Sequence, residues 1–339
     1  MNRALQGLMF LVIFLAAMQE SKADYIFTTL NVPASLQTSA MGINATGQIV
    51  GQYQDASSAF HGFLLSGGSY TTIDVPGATL TLPRDINASG QIVGSYQADT
   101  LPGFLLSGGG YSTLEVAGSD ATQALGINGP GRIVGNYSAD SKGHGFLLDG
   151  GSYTTLDVPG STGTIVWGIN DSGRIVGAYE AGGTFHSFLR DESGYTMFDP
   201  PGSTLSDATS INNSGQIAGF YQDSTRIHGF LLTSDGYTTI DYPGSTLTRV
   251  YGINDSGQIV GEYTSADSRT HGFLATPVAS PVPEPSAIVL LAAGLIALLV
   301  YIPVTSYGPE SSTLVATKTG HSHQSVSIQP GEEDIRFDR

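Results

Sequence analysis

The residues best equipped for chemistry recur at a fixed spacing. Histidine stands at 61, 144, 186, 228 and 271, each time two residues before a phenylalanine. An acid recurs at Asp74, Glu115, Asp157, Asp199 and Asp241, usually just before a Pro-Gly turn. Histidines and carboxylates are metal ligands and acid–base catalysts. Their repetition argues against both uses. One zinc ion needs all its ligands within about 2.1 Å, whereas equivalent positions in equivalent units spread around the molecule. An acid–base pair needs two carboxylates in different environments, and repetition makes environments alike. The histidines are therefore expected to bond within their own units. The acids are expected to hold the following turns by Asx-type bonds. Asn-x-Ser/Thr triplets at Asn44, Asn87, Asn136, Asn170, Asn212 and Asn254 read mostly as turns of the same repeat, not as glycan sites.

Residues that break the repeat are the better candidates. Arg84-Asp85 and Arg190-Asp191-Glu192 are scattered charged groups of this kind. The most varied position inside an otherwise regular run is occupied in turn by Met41, Arg84, Leu125, Trp167, Thr209 and Tyr251. Variation on a uniform scaffold is where specificity can sit. Trp167 and Tyr251 suit stacking on a sugar ring, and Arg84 suits pairing with a carboxylate. These three are the expected ligand-binding residues. No catalytic residue, metal or cofactor is assigned.

The elements that must position them come from a six-fold repeat. The asparagine of a Gly/Asp/Ser-Ile-Asn triplet falls at 44, 87, 128, 170, 212 and 254, about every 42 residues. A Gly-Gln/Arg-Ile-Val/Ala-Gly segment follows each triplet, then a His-Gly-Phe-Leu segment, then one like Tyr237 to Asp241. Each unit thus holds four short β-rich runs. The turns are Asn-x-x-Gly and Ser-Gly-Gly or Ser-Asp-Gly, with glycine for the left-handed position. No run keeps a 3.6-residue period over helical length. The pattern predicts an all-β, six-bladed β-propeller-like domain over residues 24–279. A β-helix is the rival fold, although its coils are usually shorter. The chain begins on a fourth-run segment (Tyr25 to Leu30) and the last repeat ends on a third-run segment (His271 to Leu274), so the first is expected to complete the last blade. Alternation of connections places the short turns on one face. The longer loops, each with an acid (Asp55, Asp99, Asp140, Glu180, Asp223 and Asp267), fall on the other. That loop face is the expected binding surface.

The repeated residues resemble the HAF repeats of extracellular bacterial proteins, a family named for a His-Ala-Phe triplet. The triplet reads His-Gly-Phe at 61, 144, 228 and 271, His186-Ser187-Phe188 once, and Pro102-Gly103-Phe104 in the second repeat. The resemblance covers Tyr25 to Leu274. It implies an extracellular repeat protein and transfers no catalytic residue.

The flanking segments point the same way. Residues 1–23 read as a signal peptide: Arg3, an apolar run from Leu5 to Met18, and small residues at Ser21 and Ala23. A Pro-rich linker (280–286) leads to the uncharged run Ala287 to Val304, long enough for a transmembrane helix. The polar tail 305–339 has no apolar periodicity and reads as disordered. Val282-Pro283-Glu284-Pro285-Ser286 with the following run resembles the PEP-CTERM sorting signal of bacterial surface proteins, which implies an exosortase as partner. The basic cluster that closes such signals is missing from Tyr301 to Gly308.

Composition narrows the partners. The repeat region holds 22 Asp/Glu against eight Lys/Arg, and the whole chain has a net charge of −16. Without a basic patch to neutralise phosphates, nucleic acid is excluded as a partner. The chain has no cysteine, so disulfides and Cys-ligated zinc are excluded. The expected function is a membrane-anchored surface module for binding or structure, acting in adhesion or the extracellular matrix. Its ligand is extracellular, with polysaccharide as the candidate. The alternative is a propeller enzyme acting on extracellular glycans, which needs non-repeated charged residues to converge in one place.

Overall fold

The computed structural model describes residues 25–278, in which every regular element is a β-strand. The signal segment 1–23, the linker 280–286, the apolar run 287–304 and the tail 305–339 lie outside the described residues. Among the described residues no helix is long and apolar enough to cross a membrane.

Twenty-four strands form six four-stranded antiparallel sheets, the blades of a propeller. After β1 (Tyr25–Leu30), the first blade contains β2 (Gln37–Ile43), β3 (Ile49–Gln54), β4 (Phe60–Ser66) and β5 (Ser69–Ile73) in spatial order. Strands β6–β9 (80–114), β10–β13 (121–156), β14–β17 (163–198) and β18–β21 (205–240) repeat the pattern. The sixth blade has β22–β24 (247–277) and takes β1 as its outer strand. Tyr25 pairs with Pro277 and Leu30 with Gly272, so the ring closes by the expected strand exchange. Phe27 packs on Tyr242 and Phe273, while Leu30 and Val32 enter the core of the first blade with Ile43 and Phe63. The clasp thus ties the last blade to the first.

The repeat pattern is a packing rule. Phe63, Phe104, Phe146, Phe188, Phe230 and Phe273 are all fully buried, one per blade. Opposite each lies the glycine that ends the Ile-Val-Gly segment. A Cβ at Gly51 would sit 2.9 Å from the Phe63 ring and 2.1 Å from the Ser39 carbonyl, so only glycine fits. Each hydrophobic cluster spans two blades; Val50 and Ile73 of the first pack with Ile86, Ile92 and Phe104 of the second. A buried threonine stitches neighbours together, as Val75 N–H donates to Thr81 Oγ1 at 3.0 Å.

The turn asparagines do more than turn the chain. Each Oδ1 accepts the amide four residues on, as from Gln48 at 3.0 Å. Each Nδ2 donates to the carbonyl of the next blade's asparagine. The donations run 44 to 87, 87 to 128, 128 to 170, 170 to 212, 212 to 254 and 254 back to 44, all at 3.1 Å. All six asparagines are buried. The result is a closed hydrogen-bonded hoop around the axis.

Candidate functional site in the axial pocket

The innermost strand of every blade carries a β-bulge. In β2 the register shifts between Ala40 and Gly42, leaving Met41 as the extra residue. The same shift isolates Arg84, Leu125, Trp167, Thr209 and Tyr251 in β6, β10, β14, β18 and β22. A bulged residue leaves the ladder and its side chain is re-aimed. All six line one cavity of about 110 Å³ on the axis. A position that differs in every repeat is therefore the one the backbone releases towards the centre.

The pocket opens on the face of the short turns, contrary to the expected loop face. Its lining runs from the bulge residues past the asparagine hoop to exposed Ala45, Ala88, Gly129, Asp171, Asn213 and Asp255. The reason is position within the strand: the bulge residue precedes the turn asparagine by only three residues, while the loops join the far end. At the mouth, Asn213 Nδ2 bridges Asp171 Oδ2 and Asp255 Oδ2 at 3.1 and 2.9 Å.

Arg84, Trp167 and Tyr251 meet in this pocket from alternate blades, with Met41, Leu125 and Thr209 between them. Trp167 Nε1 donates to Asp207 Oδ1 at 3.1 Å. Tyr251 Oη donates to Glu262 Oε1 at 3.0 Å, and the same carboxylate pairs with Arg249 and accepts from Ser39 Oγ. Arg84 differs. Its Nη1 meets only Met41 Sδ at 3.9 Å, its Nε is buried without a partner, and no carboxylate pairs with it among the described residues.

Two carboxyls here are pushed up by burial. Asp85 rises to about 7, although its oxygens accept the amides of Ile127 and Ile86. Asp207 rises to about 6, held back by the Trp167 indole and by Arg249. Burial also raises Tyr251, helped by the Glu262 charge, and lowers Arg84. Arg84 and Asp85 keep some surface along the cavity, yet protein surrounds them closely enough to penalise charge.

Sequence reasoning missed Asp207, Arg249 and Glu262. They belong to two further varied columns that face each other across the first two strands of a blade: Ser39 with Gln52, Asp207 with Phe220, Arg249 with Glu262. Comparing every column across the six repeats would have exposed them. Arg190, Asp191 and Glu192 do not line the pocket.

The repeated histidines bond within their own blades. His61, His144, His186 and His228 each donate Nδ1–H to the acid after the fourth strand, at 2.8 Å. His271 instead meets Asn31 at 3.0 Å. Asp74, Asp157, Asp199 and Asp241 thus hold histidine, which corrects the expected Asx turn. The imidazole is within reach because β4 begins beside the end of β5, with Gly62 opposite Ile73. Three of the loop acids fold their own loops: Asp55 accepts from Ser57 and Ala59, Asp223 from Thr225 and Arg226, and Asp267 from Ser265.

No family model and no curated protein matches the chain. Similar solved structures exist. A TolB structure from Agrobacterium tumefaciens shares 12% identity over 71% of this chain and 91% of its own, with a TM-score of 0.51. The Aleuria aurantia lectin, solved with Fucα1-6GlcNAc, shares 16% over 76% and 100%, at 0.49. Virginiamycin B lyase from Staphylococcus aureus, solved with quinupristin, shares 13% over 76% and 100%, at 0.45. At 12% identity, the likeness to the TolB structure is one of fold alone.

Proposed function

We propose that the propeller is an exported surface module that binds an extracellular ligand, with polysaccharide as the expected class, and that it is not an enzyme. The apolar run 287–304 holds it to the membrane, and exosortase processing through the PEP-CTERM-like signal belongs to the same reading, as does kinship with HAF-repeat proteins. One observation carries the binding assignment. Six near-identical blades carry six different residues at the bulge, and all six line a single pocket. A scaffold kept uniform for stability and varied at one central ring has the organisation of a recognition site.

The pocket is small. A cavity of roughly 150 Å³ just takes a benzene ring, so 110 Å³ admits a substituent while the sugar ring rests nearer the mouth. A glycan array probed with the 24–279 fragment tests the reading. On any glycan bound, Trp167→Ala and Tyr251→Ala should each weaken affinity about tenfold, roughly 1.4 kcal/mol, with unchanged circular dichroism. Wild-type affinity in both variants moves the site elsewhere.

A second reading has an observation in its favour. Asp85, a carboxyl raised to about 7, lines the same pocket as Tyr251, and perturbed carboxyls gather at catalytic sites. Release of shortened glycan products by the wild-type fragment would favour a glycan-active enzyme.

A further inference from the structure

We propose that the floor of the axial pocket is a site for a carboxylate group, anchored by Arg84, so that the ligand class is an acidic glycan bearing a uronic-acid residue. The inference rests on the binding-module reading and specifies its chemistry.

The argument starts from Arg84 itself. A guanidinium is always charged and carries five N–H donors. Enclosed in protein, it costs stability unless paired. Its equivalents Met41 and Leu125 show that an apolar side chain serves the fold at this position. Arg84 is nevertheless enclosed, with Nε buried and unbonded, and it lines the one cavity on which all six bulges converge. The neighbouring basic group, Arg249, is already paired with Glu262 at 3.1 Å. Glu262 in turn is bound by Tyr251 and Ser39, and the Asp85 carboxyl is turned to two backbone amides. Every charged neighbour thus has a partner within the protein, and Arg84 alone lines the cavity without an oxygen acceptor for its donors.

The form of the fork and its setting select the ligand. A guanidinium matches a carboxylate bidentately through paired N–H donors. The pocket's volume, about 110 Å³, admits a carboxylate and its attached carbon but not a ring. The surroundings are acidic: Asp85 beside the site, Glu262 behind it, Asp171 and Asp255 at the mouth. A monoanion is tolerated there better than a dianion such as phosphate. Trp167 and Tyr251 supply apolar edges for the rest of the sugar.

The test uses the full chain, sodium glucuronate as probe, and glucose, sodium phosphate and sodium chloride at matched concentration and ionic strength as controls. Glucuronate should raise the melting temperature saturably, and the three controls should not. Arg84→Met, which copies Met41, should lose at least about tenfold in glucuronate affinity while melting no lower than wild type without ligand. Arg84→Lys, with charge but no fork, should recover only part of the loss. Equal shifts from chloride or phosphate, or an undiminished glucuronate shift in Arg84→Met, would overturn the carboxylate site. Neutral glycans that bind in a Trp167- and Tyr251-dependent way, with no response to glucuronate, would refute this inference and leave the binding-module reading standing. No binding to any glycan would refute that reading itself.

Discussion

Asp85 is an ionisable group where its counterparts have none. Four blades place glycine there (Gly42, Gly126, Gly168 and Gly252), and the fifth blade places Ser210. Ser210 Oγ accepts the Ile253 amide of the next blade at 3.2 Å, the same service that Asp85 gives Ile127 at 2.9 Å. Burial raises the folded carboxyl from 3.8 to about 7. Between those values the unfolded chain ionises while the folded one keeps its proton. This group's contribution to stability is therefore full at low pH, falls as pH rises from about 4 to about 7, and stays lost above. Asp85→Ser keeps an acceptor and removes the charge. Its melting temperature relative to wild type should rise across that window and level off above it. Melts at pH 4, 5.5, 7 and 8 decide the matter, since the histidines contribute equally to both proteins. A constant difference would mean that Asp85 ionises freely. The varied column holding Arg84 was legible in the sequence because six copies could be compared. Its release into the axial pocket was not, because a bulge adds one residue to a strand without interrupting its apolar run.

At the scale of elements, the four runs per repeat and both kinds of tight turn were readable, since glycine marks the left-handed corner and asparagine the start of the turn. The asparagine hoop was not readable, because its bonds join residues some 42 apart and depend on ring closure. The exchange of β1 was readable from the repeat's phase. Its strength can be judged from what it buries. Phe27, Leu30 and Val32 pack into blades six and one, and Thr29 Oγ1 meets Tyr242 Oη at 2.6 Å. Apolar burial of this kind contributes about 2 kcal/mol per side chain. Deleting Tyr25 to Val32 should lower the melting temperature by roughly 10 °C or more, and a peptide of that sequence added in trans should restore part of the loss. An unchanged melting curve would show that the last blade stands on three strands.

For the whole molecule, the balance of 22 acidic against eight basic residues in the repeat region and the absence of cysteine leave interblade packing and hydrogen bonds to hold the ring. On the proposed reading, the flanking runs set its place in the cell. The full-length protein should fractionate with membranes, and a version ending at Ala279 should appear as a soluble domain. Full-length protein of intact mass found only in the soluble fraction would remove the anchor from the reading. The clasp has a further consequence, one of timing. β1 is made first, and its partner β24 emerges roughly 250 residues later. Until then the nascent ring has two open sheet edges, the surfaces by which unfinished β-proteins aggregate. A chain cut short anywhere before β24 stays in that state permanently. The pairing of Tyr25 with Pro277 therefore ties edge protection to the end of synthesis: only a chain that has reached β24 can cover these two edges, and every shorter product keeps them open.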